Sequence, residues 1–361
     1  MLKRGVINFT VLLLVLSLLI LRIFLYFSEI PKFPDGSKVR ISAKVASEPV
    51  EYSDSLYLRL MGYKVYLPLY PRIYYGDRII VEGIVDGEKL KSSRLVDVQK
   101  KGGILYQYRQ KLITFYERNL PKDHAALVGG MTIGSKGGIG ENLWNALKNS
   151  GTAHVVVASG MNISLISRFL LGIFILFLPR RRAIVFALLG IWLYALVSGF
   201  DAPIVRASVM GSVAFLAVET GRIYLTLRSL AITMILMLLV KPVWVGDLGF
   251  WLSAVATASI VVFTPKFNKI FAFVPIIIKE DWVTTTSAQV GVVPLLYIYF
   301  GQFNILSPLV NVAVLWTVVP VTIIGIVAGI VGTIFEPLGR LLLLLTYPLT
   351  GWFLFIINLF N

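Results

Sequence analysis

The chain has 361 residues and a net charge of +15; 57% of its residues are hydrophobic and only 15% are charged. Soluble proteins run at roughly 45–50% and 25%, so this apolar excess cannot be buried in one soluble core. The absence of cysteine excludes disulfide and thiolate chemistry, and two histidines, His124 and His154, are too few for most catalytic metal sites. The positive charge suits a polyanion, but basic loops also orient membrane proteins, and charge alone does not choose between them.

Met1 to Arg4 is short and basic, and Val6 to Phe27 is apolar apart from Asn8, Thr10, Ser17 and Arg22. A run of about 20 apolar residues is long enough to span a bilayer. It lacks the small-residue cleavage site of a signal peptide, so residues 1–30 read as an uncleaved span with a cytoplasmic N-terminus. Within residues 31–103 the pattern changes to strand alternation. Val39, Ile41, Ala43 and Val45 alternate with Lys38, Arg40, Ser42 and Lys44. Leu56, Leu58 and Leu60 lead through Met61-Gly62 into Tyr63, Val65 and Leu67, and further strands are expected at Arg78–Val85 and from about Ser93 to Val98. Five short strands fit a small closed barrel, with an OB-fold the natural candidate and another small barrel or a sandwich the alternative.

Residues 104–150 carry amphipathic helices. Leu105, Tyr108, Leu112 and Phe115 recur at helical spacing with Arg109, Lys111 and Arg118 between them, a pattern that lies in a membrane interface or packs on neighbouring helices. A pair at Asp123–Ile133 and Glu141–Asn149 follows, separated by Gly134–Gly140, which reads as a flexible turn. Gly129–Lys136 is close to a P-loop, but its last two residues are exchanged and no strand precedes it.

From residue 151 to 361 apolar runs follow closely, with spans expected near 154–178, 183–200, 204–219, 225–241, 248–264, 283–300, 306–320, 321–335 and 340–358. Pro320 lies between the seventh and eighth of these, so they read as one helix broken there. Arg180–Arg182, Arg222 with Arg228, and Lys266 with Lys269 mark cytoplasmic loops and place the β domain outside. The fold class is a polytopic α-helical membrane protein of about 8–10 spans, with a small extracytoplasmic all-β, OB-like domain after the first span.

Polar residues inside such spans are costly and mark candidate sites. His154, Ser159, Gly160, Asn162 and Ser164 form one cluster, able either to break a helix and line a polar path or to bond between helices. Asp201 and Arg206 form a second and could pair across a span start. Asp247 reads as an ordinary N-cap, while Gln289 and Asn311 suit interhelical hydrogen bonds as well as ligand contact. An intramembrane serine hydrolase would use Ser159 with His154. Residues five apart on a helix point roughly 140° apart, so that pair would not meet and His124 would have to fold back as the base.

In order along the chain, these clusters resemble the competence domain of ComEC-type DNA uptake channels. The matching residues are Gly151-Thr152-Ala153-His154, Ala158-Ser159-Gly160, Val205-Arg206-Ala207, Asp247 with Gly249-Phe250 and Leu252-Ser253, then Gln289, Pro294, Phe300, Leu306-Ser307-Pro308 and Asn311. The resemblance covers Asp123 to about Val319, and the preceding β domain sits where that family has an OB-like domain. It implies a non-enzymatic channel without cofactor or metal that passes single-stranded DNA across the cytoplasmic membrane during natural transformation. The implied transport path comprises His154, Ser159, Gly160, Asn162, Arg206, Asp247, Gln289 and Asn311. Single-strand binding wants cations and aromatic platforms, and Lys38, Arg40, Lys44, Tyr57 and Tyr63 are the expected nucleic-acid face, against a solvated barrel face with core tyrosines.

The family often has a second histidine where this chain has Asn162, and many members carry a C-terminal metallo-β-lactamase-like domain. With two His and no Cys, this chain is expected to leave strand degradation to a separate nuclease, working with DNA-delivery or motor proteins in the bilayer, with a homo-oligomer also open. The alternatives are a secondary transporter for a smaller anion, the serine hydrolase, and a scaffold that only anchors the β domain.

Overall fold

The computed structural model describes residues 2–29, 33–45, 48–51, 54–99, 103–156, 160–300, 304 and 306–360. Helix α1, Leu2–Glu29, leads into a six-stranded sheet: β1 Lys38–Lys44, β2 Val50–Glu51, β3 Leu56–Leu60, β4 Tyr63–Leu67, β5 Arg78–Asp86 and β6 Lys89–Gln99. The strand order is β1-β5-β6-β4-β3-β2, and every pair is antiparallel except β4–β6. Alternation makes the core: Val39 and Ile41 turn inward with Leu58, Val65, Ile79 and Val81, while Lys38, Arg40, Ser42 and Lys44 stay outside. Met61 and Gly62 both adopt left-handed backbone angles (φ 48° and 93°) between paired Leu60 and Tyr63. Such a two-residue turn matches the twist of the strands it joins. β6 begins four residues before the expected Ser93, because Gly87-Glu88 forms another two-residue turn that pairs Asp86 with Lys89. Its first half shows no alternation to read, since Lys91 and Ser92 are both exposed.

The helices are α2 Ile104–Asn119, α3 Lys122–Ile133, α4 Glu141–Asn149, α5 Ala153–Val156, α6 Gly160–Phe177, α7 Arg180–Val197, α8 Ala202–Glu219 and α9 Thr226–Val240. A 3-10 turn, Pro242–Gly246, leads to α10 Leu248–Ile270, α11 Ile276–Phe300, α12 Ser307–Ile334, α13 Glu336–Leu344 and α14 Thr346–Asn358. Among the described residues, four of these are long and apolar enough to cross a membrane: α6, α8, α10 and α12. The pair α13–α14, bent by 40°, makes a fifth if it counts as one broken span. Leu176, Phe177, Leu216 and Val262 stand exposed on their outer faces, where hydrocarbon covers such side chains without the cost that water imposes.

The runs 306–320 and 321–335 are one continuous helix, so the break expected at Pro320 is not there. Proline removes one intrahelical hydrogen bond and crowds the carbonyl four residues back, which a long packed helix absorbs by bending. The break falls instead at Leu345 within the expected 340–358 run. Pro348, in the first turn of α14, cannot bond back to α13.

α2 packs into the helical core through Leu112, Phe115 and Tyr116, against α3 and α12. Glycines on α12 permit that approach. Tyr116 Oη donates to the Gly325 carbonyl at 2.9 Å, and a Cβ on Gly329 would lie 2.5 Å from that hydroxyl and 2.8 Å from Leu112 Cδ2. Gly329→Val should therefore destabilise the bundle by about 1–3 kcal/mol, the usual cost of overpacking. Unfolding in detergent checks this, and unchanged stability would refute the close α2–α12 contact.

Candidate functional site

Three of the polar clusters converge on one guanidinium. Arg206 lies one turn into α8 and is 8% exposed. Its Nε donates to Ser253 Oγ on α10 at 2.7 Å, and Nη1 reaches Met210 Sδ at 3.4 Å. Nη2 faces the first residue of α6: a Cβ built on Gly160 would sit 2.6 Å from it. None of the ion pairs among the described residues includes Arg206. A hydroxyl and a thioether leave its charge uncompensated, and a buried cation without a counter-charge is costly. The arrangement can take an anionic group such as a phosphate, which guanidinium binds well.

The expected Asp201–Arg206 pair does not form. Asp201 is the residue just before α8, with an extended backbone (φ −57°, ψ 143°), whereas Arg206 projects from the helix itself, so the two side chains do not meet. Asp201 Oδ2 instead accepts from Lys136 Nζ at 2.9 Å, in the loop between α3 and α4.

A second convergence joins the 149–154 motif to the start of α12. Asn304 Nδ2 donates to the Asn149 carbonyl at 2.5 Å, and Ser307 Oγ to the Gly151 carbonyl at 3.3 Å. Gly151 adopts φ +73°, and its missing side chain leaves room for Ser307. Asn311, 1% exposed, donates weakly to Ser307 Oγ at 3.4 Å, and its Oδ1 has no partner among the described residues. His154 is exposed on the short α5 beside this seam.

The other path candidates are dispersed. Asn162 is fully buried and donates to the Met131 carbonyl at 3.0 Å, tying α6 to α3. Asp247 caps α10, its Oδ1 accepting from Phe250 N at 2.8 Å. Gln289 is half-buried on α11 two residues before Gly291, where α10 presses in with Ser259. Ser159 lies outside the described residues. His124 Nδ1 bonds Thr350 Oγ1 at 2.7 Å, and its ring stacks on Tyr347 at 4.4 Å, which commits it to the α3–α14 contact.

On the β domain, Lys38, Arg40 and Lys44 share the exposed face of β1. Arg40 approaches Glu82 at 3.7 Å, and Lys44 Nζ lies 5.1 Å above the Tyr106 ring. Tyr57 pairs with Tyr66 across β3 and β4 at 5.3 Å between ring centres. Tyr63 points the other way, into the core, its hydroxyl accepting from Phe33 N at 3.1 Å.

Sequence reading misses the junction that docks this domain. Glu48, between β1 and β2, sends its carboxylate into the helical part. Oε2 accepts from Arg109 Nη2 at 3.0 Å and from Lys136 N at 2.8 Å, and Oε1 from Ser135 Oγ at 2.9 Å. Arg109, 4% exposed, also donates to the carbonyls of Ile133 at 2.6 Å and Val197 at 2.7 Å. The 134–140 stretch is thus an anchor as well as a turn, and Gly134 closes α3 in the left-handed conformation at φ +68°. Burial alone would push the Lys136 amine down; Asp201, seconded by Glu48, outweighs it and holds the amine up. Tyr75 Oη adds a bond to the Gly199 carbonyl at 3.1 Å, and burial pushes that phenol above its ordinary range. No signal marks Glu48 in the sequence.

Among the described residues, no group of three or more His, Cys, Asp or Glu could hold a metal ion. No solved structure matches the chain. ComE operon protein 3 of Bacillus subtilis (strain 168) is 25% identical over 223 residues, which cover 62% of this chain and 28% of that protein. The chain therefore spans under a third of that relative's length. The competence protein family matches residues 131–361, more than half of the chain and the whole of the Gly160–Arg206–Ser253 and Gly151–Ser307 convergences. The chain belongs to the competence protein family.

Proposed function

We propose that this chain is a channel component that passes single-stranded DNA across the cytoplasmic membrane during natural transformation. The observation that carries the reading is Arg206, a guanidinium held between α6, α8 and α10 with no carboxylate partner among the described residues, in a member of the competence family. A phosphate backbone moving past would supply the missing negative charge in passing. Hydroxyl and thioether partners hold the side chain without cancelling its charge, so each phosphate can be bound and released. The path takes in Gly160 and Arg206, with Ser159, His154, Asn311 and Gln289 along it; Asn162 and Asp247 hold the helices that form it.

The membrane reading extends to about 8–10 spans, a cytoplasmic N-terminus and an extracytoplasmic β domain. Its domains are residues 1–30, 31–103, 104–150 and 151–361. An OB-like assignment of the β domain is supported by the strand order and by the parallel β4–β6 pair, which suit a five-stranded Greek-key barrel extended by β2. A DNA-delivery or motor protein and a nuclease are its working partners. Transport without chemistry of its own is the role assigned to this chain. The small-anion transporter is the second reading, since one buried cation also suits a single phosphate or carboxylate.

Uptake of labelled DNA in a strain lacking the gene, complemented with wild type or His154→Ala, tests this reading. Loss on deletion and restoration by wild type are expected, with label held outside the cytoplasm in the well-expressed variant. Uptake indifferent to deletion of the gene would discard the channel.

A further inference from the structure

An open groove of about 760 Å³ runs between the β domain, α2 and the end of α12. That is within the size of a ligand site, roughly 300–1,000 Å³. Its walls include Tyr74, Tyr75, Tyr106, Lys111, Thr114 and Arg118. On α2, Gln107, Lys111, Thr114 and Arg118 fall at i, i+4, i+7 and i+11, one polar stripe along the groove, with Phe115 of the core-facing stripe at its edge. Lys111 and Arg118 are exposed and join none of the ion pairs among the described residues. Tyr75 and Tyr106 pack on each other at 5.2 Å, with Lys44 Nζ over Tyr106. Tyr75 is further fixed by the Gly199 carbonyl, which leaves Tyr74 as the half-buried ring least engaged. Two acids border the groove: Asp77, whose carboxylate accepts from Tyr74 N at 2.9 Å, and Glu336 in the first turn of α13.

Unpaired cations beside an aromatic wall are the two elements that sequence-tolerant single-strand binding requires. We propose that this groove, and not the Lys38–Arg40 strand face, is where a single strand first docks. Tyr74 stacks a base, and Lys111 and Arg118 hold the flanking phosphates. The proposal rests on the channel reading and adds to it a place of entry. A lipid headgroup would offer phosphate too, but it has no base to stack, so the tyrosine separates the two.

The test is fluorescence anisotropy of labelled oligo-dT with the purified full chain in neutral detergent, each variant first matched to wild type by gel filtration. Tyr74→Ala should weaken binding about 5- to 150-fold, the worth of one stacked base, whereas Tyr74→Phe should bind like wild type. Lys111→Gln with Arg118→Gln should flatten the slope of log affinity against log salt by about 0.7 per phosphate contact. If these variants bind like wild type while Lys38→Gln with Arg40→Gln loses the strand, the groove is overturned and the channel reading stands. If wild type binds no strand, the groove is likewise overturned. Binding displaced by short-chain phosphatidylglycerol and indifferent to Tyr74→Ala would make this a headgroup site, which also overturns it. Failure of the channel reading shows elsewhere, in uptake that survives deletion of the gene.

Discussion

Glu48→Ala should loosen the β domain from the helices by about 3–5 kcal/mol, the cost of removing one partner of a buried ion pair. The Glu48 carboxylate receives three donors, and the Arg109 and Glu48 side chains are 5% and 14% exposed. Without it Arg109 keeps its carbonyl partners but loses its counter-charge, and the Lys136 amide and Ser135 hydroxyl lose their acceptor. Lys136–Asp201 is half-open to solvent and contributes far less. Glu48→Gln should fall between, since the amide restores shape and one acceptor but not charge. Limited proteolysis between residues 99 and 104, with thermal unfolding, would report the loss. Cleavage and unfolding identical to wild type in Glu48→Ala would refute the docking described for this junction.

Arg206→Gln should lower DNA uptake by about 10- to 150-fold, since hydrogen bonds to a charged group contribute about 1.5–3 kcal/mol each. Folding should respond in the opposite sense. The guanidinium has no carboxylate among the described residues, so a neutral amide that still reaches Ser253 removes an uncompensated charge and leaves stability equal or higher. A structural arginine would behave otherwise, with stability and uptake falling together. Arg206→Lys should retain part of the uptake, because the charge stays while the fork that holds Ser253 and a phosphate at once is lost. Membrane abundance and unfolding temperature measured beside uptake separate the two cases.

Regular alternation makes the β domain the most readable part of the chain. β4 is legible to the residue, Tyr63–Leu67, because alternating burial meets a Met61-Gly62 turn, whereas β6 loses its first half, where Lys91 and Ser92 are both exposed and break the alternation. The helical clusters are legible as polar residues out of place among apolar ones, but their partners are not. Nearness in sequence suggests Asp201 with Arg206; the extended backbone of Asp201 ahead of α8 separates them, and one goes to Lys136 and the other to Ser253. Glu48 sits in an unpatterned stretch, and its meaning comes only from Arg109 and Lys136, more than sixty residues away. The docking groove draws on residues 74–77, 106–118 and 332–336, so no single window of sequence contains it.

Ser164 lies one turn after Gly160 on the same face of α6 and is exposed there, whereas Leu176 is 76% exposed near the helix end on another face. A photo-crosslinking side chain at each position, irradiated during uptake of labelled DNA, tests the passage of a strand past Arg206 most directly. Capture of single-stranded DNA from position 164 and none from 176 is the predicted result. Active uptake with no capture at 164, or equal capture at both, would contradict a path along this face.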